Sequence, residues 1–400
     1  MNSKERVLCA LDHKEADRVP IGEWGIDHDT VERVIGRESY WRSRKRSTLA
    51  LWEGRRDEVV ESEKNDIVEL IGKLDQDLVP VFLVSPKDLE PEQITQIDDV
   101  TWKDREGRTY KYSDGNDAIL CTDYGRMKHF DSAEELTEHF ESVYVPDAGF
   151  RIKEKTSQGY TFELEDRSQM ELVRFVVDKL GDERFIFARG FEEFGFPFEY
   201  TFGEDFFLFM ALQPDLARLG FDLITELELT KAQLFIDAGV DAIMPGGDFS
   251  DSTGPMISPQ NIRDIFLPGM KRLSDYCHQA GVRVMSHNCG NNWKIMDILI
   301  EAGYECWQSI ACKTADMDLK RLKEQYGDQI AFWGGINIET LVSGTPEENR
   351  ADVRYALKHA APGGGLILGT SNSVCYGSRY ENYMAALETA HKFGAYPIEI

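Results

Sequence analysis

From about residue 184 onward, apolar runs alternate with helical stretches, and this alternation constrains the fold more than any other feature. The stretches between the runs, such as 214–237, 259–279 and 346–360, have the composition and length of helices. Such an alternation is typical of parallel strands joined by crossover helices. The runs that we predict to be strands are RFIFARG (184–190), GVDAIMPGG (239–247), GVRVMSHNCG (281–290), YECWQSIAC (304–312), QIAFWGGIN (329–337) and GLILGTSNSVC (365–375).

These six strands predict an α/β fold of the (β/α)8, or TIM, barrel type. An apolar run over 78–84 supplies a seventh strand, and one further strand that the pattern does not place would complete the eight. The alternative is a doubly wound open sheet, but no glycine-rich dinucleotide loop follows an early strand. We expect residues 1–400 to form a single barrel domain.

Two segments depart from the barrel pattern. Residues 1–75 are predicted to form a helical N-terminal extension, which begins with an amphipathic helix over 2–16 capped by Asn2 or Ser3. Residues 95–130 carry glycine and aspartate turn signals about every eight to ten residues, with aromatic and β-branched residues between them. This sequence pattern predicts an antiparallel β meander inserted beside the barrel.

Composition argues against several classes of protein. The formal net charge of −26 repels phosphate backbones, so we expect no nucleic-acid partner. No apolar run approaches the roughly 18 residues of a membrane span, so we expect no membrane partner. The first twenty residues are charged and lack the apolar region of a signal peptide, which predicts a cytoplasmic protein. Seven scattered cysteines predict free thiols rather than a disulfide framework.

Polar residues gather at the ends of the predicted strands, where barrel enzymes carry their chemistry. His287 and Cys289 stand two residues apart, so in extended backbone both side chains point to the same side. Imidazole with thiolate favours zinc, and Cys375, at the end of the last predicted strand, is the candidate third ligand. Three protein ligands and one exchangeable position are typical of a catalytic zinc. The alternative interpretation is a buried cysteine beside a hydrogen-bonded histidine.

Two carboxylates at strand ends are the candidate catalytic residues. Asp248 lies in PGGDFSD, and Glu193 lies in RGFEEFG beside the similarly placed Glu192. Asp248 is suited either to bind the zinc as a fourth ligand or to protonate a leaving oxygen. Its alternative role is to cap a turn or helix, so the identity of the fourth zinc ligand stays open.

Three segments resemble the uroporphyrinogen decarboxylase superfamily, which implies a (β/α)8 barrel. One branch of that superfamily decarboxylates a tetrapyrrole, and another contains zinc-dependent, corrinoid-linked methyltransferases with a His-x-Cys motif followed much later by Cys. His287, Cys289 and Cys375 match that motif, whereas IGEWGIDHD stands where the decarboxylases carry an arginine-rich loop. The resembling segments are SKERVLCALDHKEADRVP, SPQNIRDIFLPGMKRLSDYCHQAGVRVMSHNCGN, and QIAFWGGIN with the later GLILGTSNSVC.

The resemblance implies that zinc either holds a thiol acceptor or acts as a Lewis acid on an O-methyl donor. We favour a small O-methyl donor, for example an aromatic methyl ether, because aromatic residues crowd 191–207 and suit an aromatic-lined pocket. The methyl group would pass to the cobalt of a corrinoid (cobalamin) on a partner protein, since the chain lacks an Asp-x-His-x-x-Gly motif. The alternatives are a uroporphyrinogen decarboxylase-like lyase, a methyl-corrinoid:thiol methyltransferase and a non-catalytic barrel.

Overall fold

The computed structural model describes residues 1–87, 93–105, 107–123, 130–156, 159–192 and 206–400. Seven strands form one parallel sheet whose spatial order follows the sequence order. The predicted barrel class is confirmed. Most predicted strands extend beyond the observed ones at one or both ends, whereas the strand predicted over 184–190 is observed as Phe185–Glu192 and ends two residues later. The strands are β1 (Leu78–Val81), β2 (Phe185–Glu192), β3 (Ala242–Gly246), β4 (Arg283–His287), β5 (Cys306–Gln308), β6 (Ala331–Ile336) and β7 (Leu366–Thr370).

The segment 20–22 takes the eighth position around the barrel. Ile21 pairs in parallel with Leu368 of β7 as an isolated bridge, and the Gly22 N–H donates to the Leu368 carbonyl oxygen (3.0 Å). On its other side, the Asp77 N–H just before β1 donates to the Ile21 carbonyl oxygen (2.7 Å). The segment is too short to give a strand pattern, which explains why the sequence did not place the eighth strand.

Alternate residues of the strands belong to two separate apolar cores. Phe187 of β2 lies in the inner core and contacts Trp333 of β6 across the barrel, with ring centroids 5.3 Å apart. Its neighbours Ile186 and Ala188 belong to the outer core instead. Because successive side chains of a strand point to opposite faces and both faces are covered, the strands are apolar throughout.

The N-terminal helix Ser3–Leu11 covers the end of the barrel at which the strands begin. The Asn2 side chain accepts a hydrogen bond from the Glu5 N–H, and the Glu5 carboxylate accepts one from the Asn2 N–H. These two bonds form a capping box. The predicted helix over 2–16 is thus confirmed, but it ends five residues early. Its side chains that join the inner core are Val7, Ala10 and Leu11.

A buried carboxylate ties the N-terminal segment to the barrel. Asp77, fully buried, accepts hydrogen bonds from Nη1 of Arg6 and Nη1 of Arg18, each at 2.7 Å. It also accepts one from the Ile21 N–H (2.7 Å). Two guanidinium groups and a backbone donor satisfy the buried charge, so the Arg-Val-Pro sequence at 18–20 has a structural role.

Helices cover the outside of the sheet and form the N-terminal extension. Within the described ranges, no helix has the length and apolarity needed to cross a bilayer. The extension contains His28–Ile35, Arg44–Trp52 and Arg56–Leu74; the outer layer contains Glu171–Leu180, Phe206–Leu212, Pro214–Ala238, Pro259–Asn261 continued by the π-helical Ile262–Phe266 and by Leu267–Gln279, Met296–Glu301, Leu319–Tyr326, Ile338–Ser343, Pro346–Ala360 and Tyr380–Phe393.

The predicted antiparallel insertion is present and packs on the helical extension. Trp52 of the extension lies against Trp102 and Tyr110 of the insertion, with ring centroids 6.0 and 5.4 Å away. Lys45 lies over the Tyr112 ring at 3.9 Å. The inserted sheet contains Thr95–Asp98, Thr101–Lys103, Thr109–Ser113 and Ala118–Asp123, with a 3-10 turn at Asp114–Asn116.

A second antiparallel element between the insertion and β2 was not predicted. Phe150–Thr156 and Gly159–Leu164 pair as a hairpin, preceded by the helical segments Ala133–His139, Phe140–Tyr144 and Val145–Asp147 and followed by Arg167–Met170. The first strand has the sequence FRIKEKT, and most of its side chains are exposed. A strand with this many charged residues lacks the alternation that identifies a half-buried strand.

Candidate metal centre

Three side chains with metal-ligand atoms meet at the carboxyl ends of β3 and β4. His287 ends β4 and pairs with Gly246, which ends β3, so the loops after both strands begin side by side. Asp248 follows β3, and Cys289 follows β4. Every pair of ligand atoms among Asp248, His287 and Cys289 lies within 4.8 Å. This is the edge at which the sequence placed the chemistry of the barrel.

Backbone and side-chain contacts hold the cluster together. The Cys289 N–H donates to Oδ1 of Asp248 (2.7 Å), and Sγ of Cys289 lies 3.4 Å from Nε2 of His287. Asp248 is exposed, whereas the other two residues are partly buried. The carboxylate therefore lies on the solvent side of the soft ligands.

Gln308, at the end of β5, determines which nitrogen of His287 carries the proton. The Gln308 amide nitrogen donates to the carbonyl oxygens of Thr370 (3.2 Å) and Asn372 (2.9 Å), so its Oε1 faces Nδ1 of His287 and accepts a hydrogen bond from it. Burial also lowers the pKa of His287. The ring is therefore neutral with its lone pair on Nε2, which is the form that binds metal ions.

The Cys289 sulfur has polar neighbours from two further strand ends. Nδ2 of Asn372 donates to it at 3.1 Å, and Oγ of Ser309 lies 3.1 Å away. Because the Ser309 hydroxyl donates to the Ser371 carbonyl oxygen (2.8 Å), it accepts from the thiol. Burial raises the pKa of the Cys289 thiol to about 12. A bound cation would replace that proton.

Backbone geometry around the cluster is unusual at two positions. Ser309 has a φ of +87°, a conformation that costs a non-glycine residue about 1–3 kcal/mol. Gly290 has a φ of +86°, and a Cβ there would collide with the Ser250 carbonyl oxygen and lie 2.6 Å from that of Asp251. Gly290 therefore lets the loop after β4 lie directly against the loop after β3.

Cys375 does not join the three clustered residues. Its Sγ lies 3.6 Å from Oγ of Ser378, and no group formed by His287, Cys289 and Cys375 has all its ligand atoms within 4.8 Å of one another. Burial raises the pKa of the Cys375 thiol. Its loop nevertheless borders the cluster, because Asn372 of the same loop contacts the Cys289 sulfur. Its role as third ligand stays a prediction.

Trp24 and two arginines form the wall beside His287. The sequence assigned no role to Arg189, one of the polar residues near the predicted strand ends, and did not single out Trp24 or Arg42. The Trp24 indole stacks on the His287 ring, with centroids 4.5 Å apart and planes 23° apart. Arg189 and Arg42 lie over the indole at 4.4 and 5.1 Å. Only their positions in the sequence could have identified them as site residues. Trp24 follows the segment that closes the barrel, and Arg189 lies near the end of β2.

The remaining candidate residues have different placements. Glu193 lies outside the described residues, as do most of the aromatic residues predicted to line a pocket over 191–207. Asn337, at the end of the predicted strand 329–337, occupies the N-cap position of the helix Ile338–Ser343. All seven cysteines are free thiols, as predicted.

The fold and this cluster define a (β/α)8 barrel with histidine, cysteine and aspartate at the carboxyl ends of its strands. Residues 202–393 match the family model described as uroporphyrinogen decarboxylase (URO-D). The resemblance to that superfamily predicted from the sequence motifs is therefore confirmed. No curated protein sequence matches the chain.

Among solved structures, a methyltransferase from Methanosarcina mazei matches over the whole length. The match covers 99% of this chain and 100% of that chain, with a TM-score of 0.65 and 16% sequence identity. A sugar phosphate isomerase/epimerase from Parabacteroides distasonis matches 55% of this chain and 79% of its own, with 9% identity and a TM-score of 0.37. The first match shows that this chain shares its fold with that methyltransferase. The second structure is too different for any conclusion about this chain.

Proposed function

We propose that this protein is a zinc-dependent methyltransferase that moves a methyl group from a small O-methyl donor to the cobalt of a corrinoid protein. The observation that carries the proposal is the convergence of His287, Cys289 and Asp248 at the carboxyl ends of neighbouring strands. Such a set of soft and hard donors at an accessible barrel mouth suits a catalytic rather than a structural zinc.

The donor set fits zinc in its chemistry. Imidazole and thiolate together favour zinc over magnesium or calcium, and Gln308 keeps Nε2 of His287 unprotonated. His287 and Cys289 would hold the ion, with Cys375 as the motif-based third ligand. Bound zinc would act as a Lewis acid on the oxygen of the methyl donor.

Asp248 would donate the proton that the reaction requires. Breaking the carbon–oxygen bond leaves the electron pair on the donor oxygen, which then needs a proton. Asp248 is exposed at the mouth and adjacent to both soft ligands, so its carboxyl group is placed to deliver that proton. Glu193 remains a second candidate for this role on sequence grounds.

One structural comparison and one sequence motif support methyl transfer over the alternatives. The solved structure that matches over the whole length is described as a methyltransferase. The sequence also has the His-x-Cys motif and the later Cys that resemble the zinc-dependent, corrinoid-linked methyltransferases. The family model bears the name of a decarboxylase, which favours a lyase as the second candidate. The absence of arginine from 21–29 counts against it, because that is where decarboxylases carry the loop that binds tetrapyrrole carboxylates.

The first experiment compares zinc content and methyl transfer in the same preparations. We expect about one zinc per chain in the wild type by elemental analysis, and methylation of Co(I) cobalamin by an O-methyl donor in an absorbance assay. Cys289→Ala should lose both zinc and activity. Cys121→Ala, in the inserted sheet, is the matched control and should retain both.

Each alternative gives a different result in this experiment. Zinc binding without methylation of cobalt, but with methylation of a thiol from methylcobalamin, would identify the thiol methyltransferase. Conversion of uroporphyrinogen without any effect of Cys289→Ala would identify the lyase. The proposed function would be excluded if the wild-type protein contained no zinc, or if the Cys289→Ala variant kept its zinc.

A further inference from the structure

Two guanidinium groups lie beside the same indole that stacks on the candidate metal ligand. Arg189 Cζ lies 4.4 Å, and Arg42 Cζ 5.1 Å, from the centroid of the Trp24 ring. The His287 ring centroid is 4.5 Å from the Trp24 ring centroid. Positive charge is thus concentrated at the mouth of a chain whose formal net charge is −26.

Arg42 is buried and only partly satisfied. Its side chain is 8% exposed, and its Nε donates to Oδ1 of Asp27 at 2.6 Å. Its Nη2 is buried and has no hydrogen-bond partner in the described part of the chain. A buried donor without an acceptor is unfavourable and uncommon in folded proteins, so a ligand acceptor at this atom would be stabilising.

Arg189 lacks a charged partner altogether among the described residues. Its Nη1 donates to the Trp24 carbonyl oxygen at 2.9 Å, while its Nε is buried and has no hydrogen-bond partner within the ranges that the structure describes. Phe82 flanks the guanidinium group at 5.4 Å. Burial raises the pKa of the neighbouring Glu63 to about 8, so Glu63 is mostly neutral at pH 7 and does not compensate the Arg189 charge.

The pair therefore carries more positive charge than the surrounding residues neutralise. Asp27 compensates one of the two guanidinium groups through its contact with Arg42. The second charge has no carboxylate at ion-pair distance in the described structure. Burying an unpaired charge is costly, and an anionic ligand would offset that cost.

We propose that Arg42 and Arg189 bind the anionic group of the substrate, and that the methyl donor carries a carboxylate in addition to its O-methyl group. A planar guanidinium group matches the two oxygens of a carboxylate. Trp24 and Phe82 would contact the apolar body of the same molecule. The proposal depends on the proposed function only in identifying the bound molecule as the methyl donor.

A purely structural role for Arg189 makes a different prediction. In that role Arg189 only fixes the Trp24 carbonyl oxygen, and its replacement would alter stability without altering the preference for charged ligands. The charge of the ligand therefore separates the two roles.

The test is calorimetric titration of the purified protein with 3-methoxybenzoate and with 3-methoxybenzamide. The two probes have nearly the same shape, but only the first is charged. We expect the wild type to bind the carboxylate roughly tenfold or more tightly than the amide, as expected for a charge-assisted bond. Equal affinities, or no binding of the carboxylate at millimolar concentration, would overturn the proposal.

Variants locate the binding group. Arg189→Gln should weaken carboxylate binding by roughly 10–100-fold and leave amide binding unchanged, and Arg189→Lys should be intermediate if the glutamine variant does not fold. Arg44→Gln removes an exposed positive charge from the nearby helix start and should retain the preference. A preference that survives in Arg189→Gln would overturn the proposal.

One further variant separates the arginine pair from the metal. A carboxylate bound directly to zinc would lose affinity in Cys289→Ser, whereas one bound by the arginines would keep its preference over the amide. Loss of the preference in Cys289→Ser alone would overturn the proposal. Since the assay contains no cobalamin and detects no methyl transfer, a failure of the proposed methyltransferase activity leaves these outcomes unaffected.

Discussion

Gln308 accepts a hydrogen bond from Nδ1 of His287, across the boundary between β5 and β4. The two residues are register partners, so the pairing of the strands places the amide beside the ring. The amide itself is oriented by the carbonyl oxygen of Thr370, which ends β7, and by that of Asn372 in the following loop. One side chain thus connects the candidate metal ligand to three strand ends, and this relationship leads to the first prediction.

Gln308→Ala should weaken zinc binding by roughly 10–100-fold, the usual effect of losing a group that orients a metal-bound histidine. The barrel should stay folded, because the substitution removes only side-chain contacts and leaves the backbone pairing of β5 with β4 and β6 in place. Zinc affinity measured by competition with a chelator, together with far-UV circular dichroism, checks both statements. Gln325→Ala, at an exposed helical position, is the control. Unchanged zinc affinity in Gln308→Ala would contradict the orienting role.

Cys375→Ala tests the ligand that the sequence motif predicts and the structure places apart from the cluster. We expect it to lower zinc affinity roughly tenfold or more, because binding would draw the loop after β7 towards the other ligands. Zinc content after dialysis is the measurement, with Cys312→Ala as the matched control. If Cys375→Ala keeps its zinc, the protein ligands are Asp248, His287 and Cys289 alone.

Gly290→Ala should both destabilise the protein and reduce zinc binding. The added methyl group meets the backbone carbonyl oxygens of Ser250 and Asp251 at a positive φ, so the two loops must separate. We expect a loss of about 1–3 kcal/mol in the free energy of unfolding, measured in urea. Gly281 also has a positive φ but open space around it. Gly281→Ala should therefore lower the free energy of unfolding by about 1 kcal/mol through backbone strain alone. An equal loss of zinc in both variants would show that contact between the loops is irrelevant.

Glu23 should make the stability of the protein fall as the pH rises. The side chain is 1% exposed, and burial raises its pKa from 4.5 to about 7. Between these values the folded state keeps a proton that the unfolded state releases, so the free energy of unfolding decreases across this window, by about 3 kcal/mol in total. Glu23→Gln should remove this decrease.

Urea unfolding at pH 5 and pH 8 measures the effect of Glu23 as a difference between variant and wild type. Glu38→Gln, at an exposed position, should follow the wild type. Oε2 of Glu23 accepts from the Thr370 N–H (2.9 Å) and the Thr370 hydroxyl (2.5 Å), and the glutamine oxygen can keep these bonds. Parallel pH dependence of Glu23→Gln and the wild type would contradict the prediction.

The pattern of apolar residues was enough to predict the barrel, because both faces of each strand are covered and each strand is therefore a continuous apolar run. It also determined that His287, Cys289 and Asp248 lie at one edge, since parallel strands bring their carboxyl ends together. The hairpin Phe150–Thr156 and Gly159–Leu164 escaped detection because its exposed, charged strand lacks an apolar alternation.

The side chains that surround the candidate ligands could be identified only in the folded barrel. Trp24, Arg42, Arg189 and Gln308 come from four separate parts of the chain and meet only when the barrel closes. The placement of Ile21 between Leu368 and Asp77 likewise depends on the two ends of the sheet coming together. Local patterns encode which face of an element is buried, whereas contacts between distant segments depend on the closure of the whole sheet.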